Sequence, residues 1–195
     1  MPTIGVLALQ GDFKEHMEAL QRTGVEAKEV RLPQELDQVD GLIIPGGEST
    51  TISTLMRAFH FNDRVKELAS QGFPIWGTCA GMIVIAKHIV ELSQESLDLI
   101  DIDVRRNAFG RQIDSFETEL SIAALGQDPF RAVFIRAPWI ERTGEGVQVL
   151  ATLSDGTPVA ARQGNIIVTS FHPELTEDKR FHQHFAALAK SDRIK

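Results

Sequence analysis

The sequence has little cysteine, no excess of positive charge and no long apolar run, and each absence excludes a class of protein. Its 195 residues include one cysteine, so no disulfide can form within the chain. The net charge of -7 at pH 7, with acidic and basic residues interspersed, leaves no basic stripe that could follow a nucleic-acid backbone. No apolar stretch is long enough to span a membrane, and the run after Met1 is too short for a signal peptide. We therefore expect no nucleic-acid or membrane partner, and a cytoplasmic location.

The remaining composition is that of one globular domain. Hydrophobic residues make up 43% of the chain and charged residues 24%, which is the balance of ordinary globular proteins. A domain of this length buries roughly 70% of the surface that its unfolded chain exposes, so a core forms without metal ions or disulfides. No linker, internal repeat or low-complexity segment interrupts the chain, and we predict a single domain over residues 1–195.

Short apolar runs alternate with stretches of helical period through the first half of the chain. This alternation predicts an α/β fold of βα units with a largely parallel sheet. The predicted strands are residues 3–9, 25–31, 41–44 and 74–77. The second predicted helix is expected to bury apolar residues three and four apart, which are Ile52, Leu55, Met56 and Phe59.

Strand-like runs follow one another closely beyond residue 100, with little helical period between them. We expect them to be antiparallel or mixed additions to the sheet. These runs are residues 116–122, 132–136, 147–153, 158–162 and 165–171. A closing amphipathic helix is predicted from Phe181, Phe185 and Leu188, which recur at i, i+4 and i+7.

The one cysteine lies in a glycine-flanked turn between an apolar run and a helical run. Gly77-Thr78-Cys79-Ala80-Gly81 has the form G-x-C-x-G, the cysteine version of a nucleophile elbow. So sharp a turn brings strand and helix backbones close together, and the two glycines leave room for that approach. The helix N-terminus favours a thiolate and offers N–H groups to an oxyanion. A core cysteine in a glycine-rich turn is the alternative, and the motif alone does not separate the two.

A histidine and a glutamate two residues apart follow the last predicted strand, in the segment Ser170-Phe171-His172-Pro173-Glu174. We expect the proline to keep this segment extended, so that both side chains point the same way. The carboxylate would then hold the imidazole in the tautomer that accepts a thiol proton. The alternative is a surface loop that caps the last helix. The other histidines are expected in packed or solvated positions on helices, and they are His16, His60, His88, His182 and His184.

The segment Pro45-Gly46-Gly47-Glu48-Ser49 also follows an apolar strand. Its glycines allow backbone angles closed to other residues, so a backbone N–H can be turned toward a ligand. A tight turn with Ser49 or Thr50 as the N-cap of the next helix is the alternative, and it is compatible with function. In an open α/β sheet, segments at the carboxyl ends of strands meet in one crevice. We therefore expect this turn to share one site with Cys79 and His172.

In this chain order the three motifs resemble those of the class I (triad) glutamine amidotransferases. Further segments narrow the resemblance to the glutaminase subunits of pyridoxal 5'-phosphate synthases, and it runs almost from end to end. These segments are residues 5–11 (GVLALQG), 46–51 (GGESTT), 106–112 (RNAFGRQ) with 114–116 (DSF), 134–138 (FIRAP) and 170–176 (SFHPELT). Ala8, where such proteins often carry glycine, is a departure that touches no catalytic position.

The resemblance implies a flavodoxin-like, doubly wound fold and hydrolysis of L-glutamine to L-glutamate and ammonia. The triad is Cys79, His172 and Glu174, the oxyanion donors are the N–H groups of Gly47 and Ala80, and no metal ion or organic cofactor is needed. The ammonia would pass to a (β/α)8-barrel synthase subunit, which joins it to a pentose phosphate and a triose phosphate, with Gln10 near the contact. The residues implied to hold glutamine are Gly47, Glu48, Ser49, Arg106, Ile135 and Arg136.

Two other interpretations remain open at this point. The chain could be the glutaminase of another ammonia-using synthase, or a γ-glutamyl hydrolase of peptide-like substrates. It could also be a non-catalytic module whose cysteine senses redox state. A sensor has no use for the pair of His172 and Glu174, so that pair argues against it.

Overall fold

The computed structural model describes residues 1–90, 94–106 and 115–191. Its strands, in chain order, are β1 (Thr3–Leu7), β2 (Glu26–Val30), β3 (Gly41–Ile44), β4 (Ile75–Thr78), β5 (Ala86–Val90), β6 (Ile100–Arg105), β7 (Ser115–Leu120), β8 (Phe130–Ile135), β9 (Trp139–Thr143), β10 (Gln148–Thr152), β11 (Pro158–Gln163) and β12 (Ile166–Thr169). Its helices are α1 (Phe13–Arg22), α2 (Ser49–Ala58), α3 (Phe61–Ser70), α4 (Ala80–Ile85) and α5 (Arg180–Ser191), and 3₁₀ turns cover Pro33–Gln38, Ala123–Leu125 and Pro173–Leu175. None of the helices in the described part of the chain is long and apolar enough to cross a membrane.

The central sheet has seven strands in the order β10-β11-β12-β4-β3-β1-β2. From β2 to β12 every neighbouring pair is parallel, whereas β11 and β10 continue the sheet in antiparallel pairing. The order β2-β1-β3-β4-β12 is that of the flavodoxin-like doubly wound folds. The predicted α/β fold, a mostly parallel sheet with antiparallel additions, is confirmed.

Alternate residues of each central strand face opposite layers, which is why these strands read as continuous apolar runs. In β3, for example, Leu42 and Ile44 pack in one core with Ile52 and Met56 of α2, while Ile43 packs in the other. The second core contains the aromatic side chains of Trp76, Phe181 and Phe185 between the sheet and α5. The chain therefore has a helical layer on each face of the sheet.

The later strands depart from the prediction in where they pair. β7 and β8 form a separate two-stranded sheet, and β5, β6 and β9 form a three-stranded one, so these strands do not extend the main sheet. Three of them, β5, β6 and β9, were not predicted. The signal for β6 was present, because Ile100, Ile102 and Val104 are buried and alternate with half-buried polar residues.

Two local predictions about side chains are wrong. Phe59 was expected on the buried face of α2, but it follows the last helical residue and is 45% exposed. His60 and His88 were expected on helices, but His60 lies in the turn between α2 and α3 and His88 lies on β5, and both are exposed. In both cases the helical period was extended past the residue at which the helix ends.

Candidate active site

Cys79 forms the whole connection between β4 and α4. It follows the last strand residue, Thr78, and precedes the first helical residue, Ala80. Its φ of 48° and ψ of -104° lie outside the regions that a side chain ordinarily allows, which is the backbone strain found at nucleophile elbows. Its N–H donates to the carbonyl of Thr169 at 2.8 Å, so the pairing of β4 with β12 extends to the cysteine. The sharp turn presents the thiol at the carboxyl edge of the sheet.

The two glycines around Cys79 are required by space. A Cβ on Gly77 would lie 2.7 Å from the backbone of Gly81, and one on Gly81 would lie 2.0 Å from the carbonyl oxygen of Ile44. These contacts involve backbone atoms that cannot move aside. The expected close approach of strand and helix at this turn is confirmed.

His172 and Glu174 form a buried pair beside Cys79. Nδ1 of His172 lies 2.7 Å from Oε1 of Glu174, and both side chains are at least nine-tenths buried. The N–H of His172 donates to the carbonyl of Val133 at 2.8 Å, which ties this segment to β8. The chain at Pro173–Leu175 is a 3₁₀ turn, so the expectation of an extended segment is wrong. The turn itself brings the carboxyl group back to the ring.

The protonation of the pair follows from its contacts. Burial lowers the pKa of His172, but hydrogen bonds to Cys79 and Glu174 outweigh burial and raise it to about 11. Burial raises the pKa of Glu174 above its ordinary value, and the bond to His172 offsets only part of that rise. Because the imidazole and the carboxyl group are 2.7 Å apart, they titrate as one coupled unit. We assign it an anionic carboxylate facing the ring, since that form explains the raised pKa of His172.

The glycine turn after β3 places Gly47 at the edge of the site. Gly47 has a φ of +148°, and a Cβ there would lie 2.9 Å from the backbone Cα of Gly11, so backbone angle and space both require glycine. Gly46 is needed for a different reason, because a Cβ on it would meet the ring of His172 at 2.5 Å. The N-cap of α2 is Glu48, whose carboxylate accepts the N–H of Thr51, so the alternative in which Ser49 or Thr50 caps the helix is wrong in that detail.

These segments enclose a cavity of about 460 Å³. The cavity brings together every residue that the sequence implicated except Glu174, which lies behind His172. Its lining residues are Gln10, Asp12, Gly47, Glu48, Ser49, Cys79, Ala80, Ile83, Arg106, Ile135, Arg136, Pro138, His172 and Leu175. A larger groove of about 700 Å³, between α2, α3 and residues 94–97, contains neither cysteine nor histidine in its lining. The chemistry therefore belongs to the smaller cavity.

Opposite charges meet in the lining of this cavity. Nη2 of Arg106 donates to Oε1 of Glu48 at 2.9 Å. Arg136, which follows β8, has a φ of 41°, so the backbone turns sharply where Ile135 and Arg136 reach the cavity. The rest of the motif that begins at Arg106, residues 107–114, lies outside the described residues.

Two side chains near the triad were not singled out from the sequence. Oδ2 of Asp12 lies 3.6 Å from Nδ1 of His172, and Nε2 of His16 lies 3.4 Å from Oε2 of Glu174. Asp12 precedes α1, where an acidic N-cap needs no further explanation, and His16 was assigned a packed or solvated position. Neither had a sequence signal beyond its residue type.

The described residues contain one group whose donor atoms are close enough to hold a metal ion. Ligand atoms of Asp12, His172 and Glu174 lie within 4.8 Å of one another. In His172, however, Nδ1 already lies 2.7 Å from Oε1 of Glu174, the contact that orients the ring. A metal ion at this position would have to displace that contact.

A cysteine on a nucleophile elbow, beside a buried histidine–carboxylate pair at the carboxyl edge of a parallel sheet, is the arrangement of the cysteine-nucleophile hydrolases. Within that class, the chain belongs to the SNO glutamine amidotransferase family, whose model matches residues 6–190.

Individual relatives agree with this assignment. The chain is 58% identical over 189 residues to a protein of Herpetosiphon aurantiacus named pyridoxal 5'-phosphate synthase subunit PdxT, with 95% of this chain and 100% of that protein covered. A protein of the same name from Dehalococcoides mccartyi is 57% identical, with 96% and 97% covered. A crystal structure described as a glutamine amidotransferase matches with a TM-score of 0.91 and 53% identity, over 96% of this chain and 98% of that one.

Proposed function

We propose that the protein hydrolyses L-glutamine to L-glutamate and ammonia, and supplies the ammonia to the synthase subunit of a pyridoxal 5'-phosphate synthase. The glutaminase activity is inferred from one observation: Cys79 and His172 line the same cavity, and Glu174 lies behind His172. The names of its relatives support the link to pyridoxal 5'-phosphate over service to another synthase or a γ-glutamyl hydrolase. The cytoplasmic location expected from the sequence remains part of the proposal.

Before acylation the thiol proton of Cys79 passes to His172, and the raised pKa of that ring favours the resulting imidazolium–thiolate pair. The thiolate attacks the side-chain amide carbon of glutamine, and the tetrahedral oxyanion accepts hydrogen bonds from the N–H groups of Gly47 and Ala80. Ala80 is the first residue of α4, so its N–H has no partner within that helix. His172 then gives its proton to the departing nitrogen, and the C–N bond breaks to leave ammonia and a γ-glutamyl thioester.

Deacylation repeats these steps with water. His172 takes a proton from a water molecule, whose oxygen attacks the thioester carbon, and the C–S bond breaks to give glutamate and the cysteine thiolate. Glu174 keeps the imidazole in one tautomer and stabilises its charged form throughout, because its carboxylate lies against Nδ1. No step requires a metal ion or an organic cofactor.

The charged pair in the cavity suits the zwitterionic head of glutamine. The guanidinium of Arg106 can bind the α-carboxylate with two N–H groups, and the carboxylate of Glu48 complements the α-ammonium group. The remaining proposed contacts come from the turns of Gly47 and Ser49 and, through the backbone, from Ile135 and Arg136. All of these residues line the same cavity.

The proposed partner is a (β/α)8-barrel synthase subunit that contacts this chain near Gln10. Oε1 of Gln10 accepts the N–H of Glu48 at 2.9 Å, so this side chain is bonded to the turn that contains Gly47. A partner that moved Gln10 would release the N–H of Glu48, and the neighbouring peptide that carries the N–H of Gly47 would then be able to reorient at the oxyanion site. Binding would shift that orientation only by favouring one form over the other.

Covalent labelling tests the glutaminase. The protein is incubated with a diazo ketone analogue of L-glutamine in the presence of the barrel subunit, and the site of modification is found by mass spectrometry. We expect label on Cys79, protection by L-glutamine and no label from the D-enantiomer of the reagent. Equal labelling by the two enantiomers would indicate a merely reactive thiol, the behaviour expected of a redox sensor, and would contradict the proposal.

A further inference from the structure

The second oxygen of the triad carboxylate faces a histidine that no step of the mechanism uses. Oε1 of Glu174 faces His172. Its other oxygen, Oε2, is buried and has no hydrogen-bond partner with regular geometry among the described residues. Nε2 of His16, on α1, lies 3.4 Å from that oxygen, and both side chains are completely buried. His16 does not line the cavity, so it approaches Glu174 from the side away from substrate.

The ring of His16 is fixed by contacts at both nitrogens. Nδ1 lies 3.0 Å from Nε2 of His182 on α5, and Nε2 lies 3.1 Å from Oγ1 of Thr78, the residue before the nucleophile. The indole of Trp76 packs against the ring edge-on, with centroids 5.6 Å apart. His16 therefore connects α1 and α5 to the strand that ends at Cys79.

These contacts select one tautomer of His16. Burial lowers the pKa of both His16 and His182, so each ring is neutral and carries one N–H. A proton on Nδ1 of His16 would leave the lone pair of Nε2 facing a buried carboxylate, and would leave the Nδ1–H of His182 without an acceptor among the described residues. With the proton on Nε2, the N–H faces Glu174 and Thr78, and Nδ1 accepts from His182. The second arrangement leaves only the lone pair of Nδ1 of His182 without a partner. That costs less than an unpaired N–H on His182 together with a repulsive contact between Nε2 of His16 and the carboxylate of Glu174.

We propose that His16 is a positioning residue for the triad, whose Nε2–H supports Oε2 of Glu174 and so fixes the carboxylate that orients His172. This inference rests on the proposed glutaminase mechanism, and His182 contributes to it by holding the tautomer of His16. An N–H 3.4 Å from an otherwise unpaired buried carboxylate oxygen offsets part of the cost of burying that charge, so its loss should lower kcat roughly tenfold or more. The KM for glutamine should stay within about twofold, because the side chain of His16 does not line the cavity.

The test compares His16→Gln with His16→Met, two unbranched side chains of equal length of which only glutamine carries an N–H near the position of Nε2. Glutaminase activity is measured with the barrel subunit present, together with thermal unfolding of each variant. We expect His16→Gln to keep most of the wild-type kcat and His16→Met to lose it, at similar KM. His184→Met, a half-buried histidine on α5 that contacts Phe181 and lies away from Glu174, is the control and should match the wild type.

Equal kcat for the two His16 variants, at equal stability, would overturn the positioning role while leaving the glutaminase intact. An inactive wild type whose cysteine resists the glutamine analogue would instead contradict the proposed function. If the His16 variants do not fold, nitrogen-15 NMR of wild-type protein with labelled histidine reports the tautomer of His16 directly. We expect the His16 signal, identified by its proximity to both Thr78 and the Trp76 ring, to show the Nε2–H tautomer, and the Nδ1–H tautomer would reject the inference.

Discussion

Arg106 and Glu48 are joined at 2.9 Å in the lining of the cavity, and the same carboxylate accepts the N–H of Thr51 as the N-cap of α2. The arginine is thereby aimed into the site by a side chain that is itself fixed to a helix. Both partners are partly exposed, with 24% and 46% of the side-chain surface accessible, so the pair adds little to stability. Its value lies in preorganising two opposite charges for a zwitterionic substrate.

Arg106→Ala is therefore expected to weaken glutamine use and leave the fold nearly unchanged. Loss of the guanidinium removes the proposed partner of the α-carboxylate, so KM should rise severalfold or more. Steady-state kinetics with the barrel subunit present, beside a thermal unfolding curve, measure both effects. Arg131→Ala, which removes an exposed arginine paired with Glu117 away from the cavity, is the control. A KM equal to that of the wild type would remove Arg106 from the substrate site.

Cys79→Ala should fold but lose glutaminase activity, because a methyl group cannot form the thioester. The complete synthase carrying this variant should still make product when free ammonia is supplied, which separates loss of ammonia production from loss of assembly. Product formation is measured with glutamine and with an ammonium salt in parallel. Glutamate release by the purified variant would contradict the triad.

The strain at position 79 predicts an inverted order of stability between two inactive variants. Glycine elsewhere costs roughly 0.5–1 kcal/mol relative to alanine. At the φ of 48° and ψ of -104° found here, a side chain costs of order 1–3 kcal/mol that glycine avoids. Cys79→Gly should therefore be at least as stable as Cys79→Ala in urea unfolding. If Cys79→Gly is instead less stable than Cys79→Ala by roughly 0.5–1 kcal/mol, the turn stores no strain.

The isolated chain should be a poor glutaminase that its partner activates. Gly46 and Gly47 allow backbone angles closed to other residues, so the N–H of Gly47 can be turned toward the oxyanion site or away from it. Its loss from that site would cost on the order of 100-fold to 1000-fold in rate. Glutamate release at saturating glutamine is compared with and without the barrel subunit. Equal turnover in the two samples would show that the oxyanion site is already formed, and would reject the activation while leaving the triad standing.

The buried histidines predict that stability falls in acid. Burial lowers the pKa of His182 from 6.5 to about 3, and burial also lowers that of His16. Between pH 6.5 and about pH 3, His182 is protonated in the unfolded chain and neutral in the native protein. The stability associated with its neutral form is therefore fully present above pH 6.5 and is lost as the pH falls toward 3. The expected slope is about 1.4 kcal/mol per pH unit for each such histidine.

Urea unfolding from pH 7 to pH 4 measures this slope, in the wild type and in His182→Met. The variant should lose less stability with falling pH, because it lacks one of the protons taken up on unfolding. Phe185→Leu, which removes a buried side chain of the same helix without a titratable group, should parallel the wild type. Identical slopes in all three proteins would exclude His182 as the source.

Much of this protein was determined by its sequence alone. The apolar run of β3 and the glycines around Cys79 act within a few residues, so the α/β class and the nucleophile elbow follow from local pattern. The alternation of β6 is also a local signal. The strands β5 and β9 did not follow, because β5 continues the apolar run of α4 and all three strands pair with one another only after distant segments meet. Strand pairing of that kind is decided by packing and not by local preference.

The site shows the same division. Residue type and order brought out Cys79, His172 and Glu174, since each stands in a motif at the end of a strand. Only the tertiary structure shows what lies behind them: His16, more than 150 residues from Glu174 in sequence, approaches the second carboxylate oxygen at 3.4 Å. The sequence around a histidine on an amphipathic helix does not indicate which side chains it will contact. Its environment is created by burial between α1, α5 and β4, and burial is a property of the folded molecule.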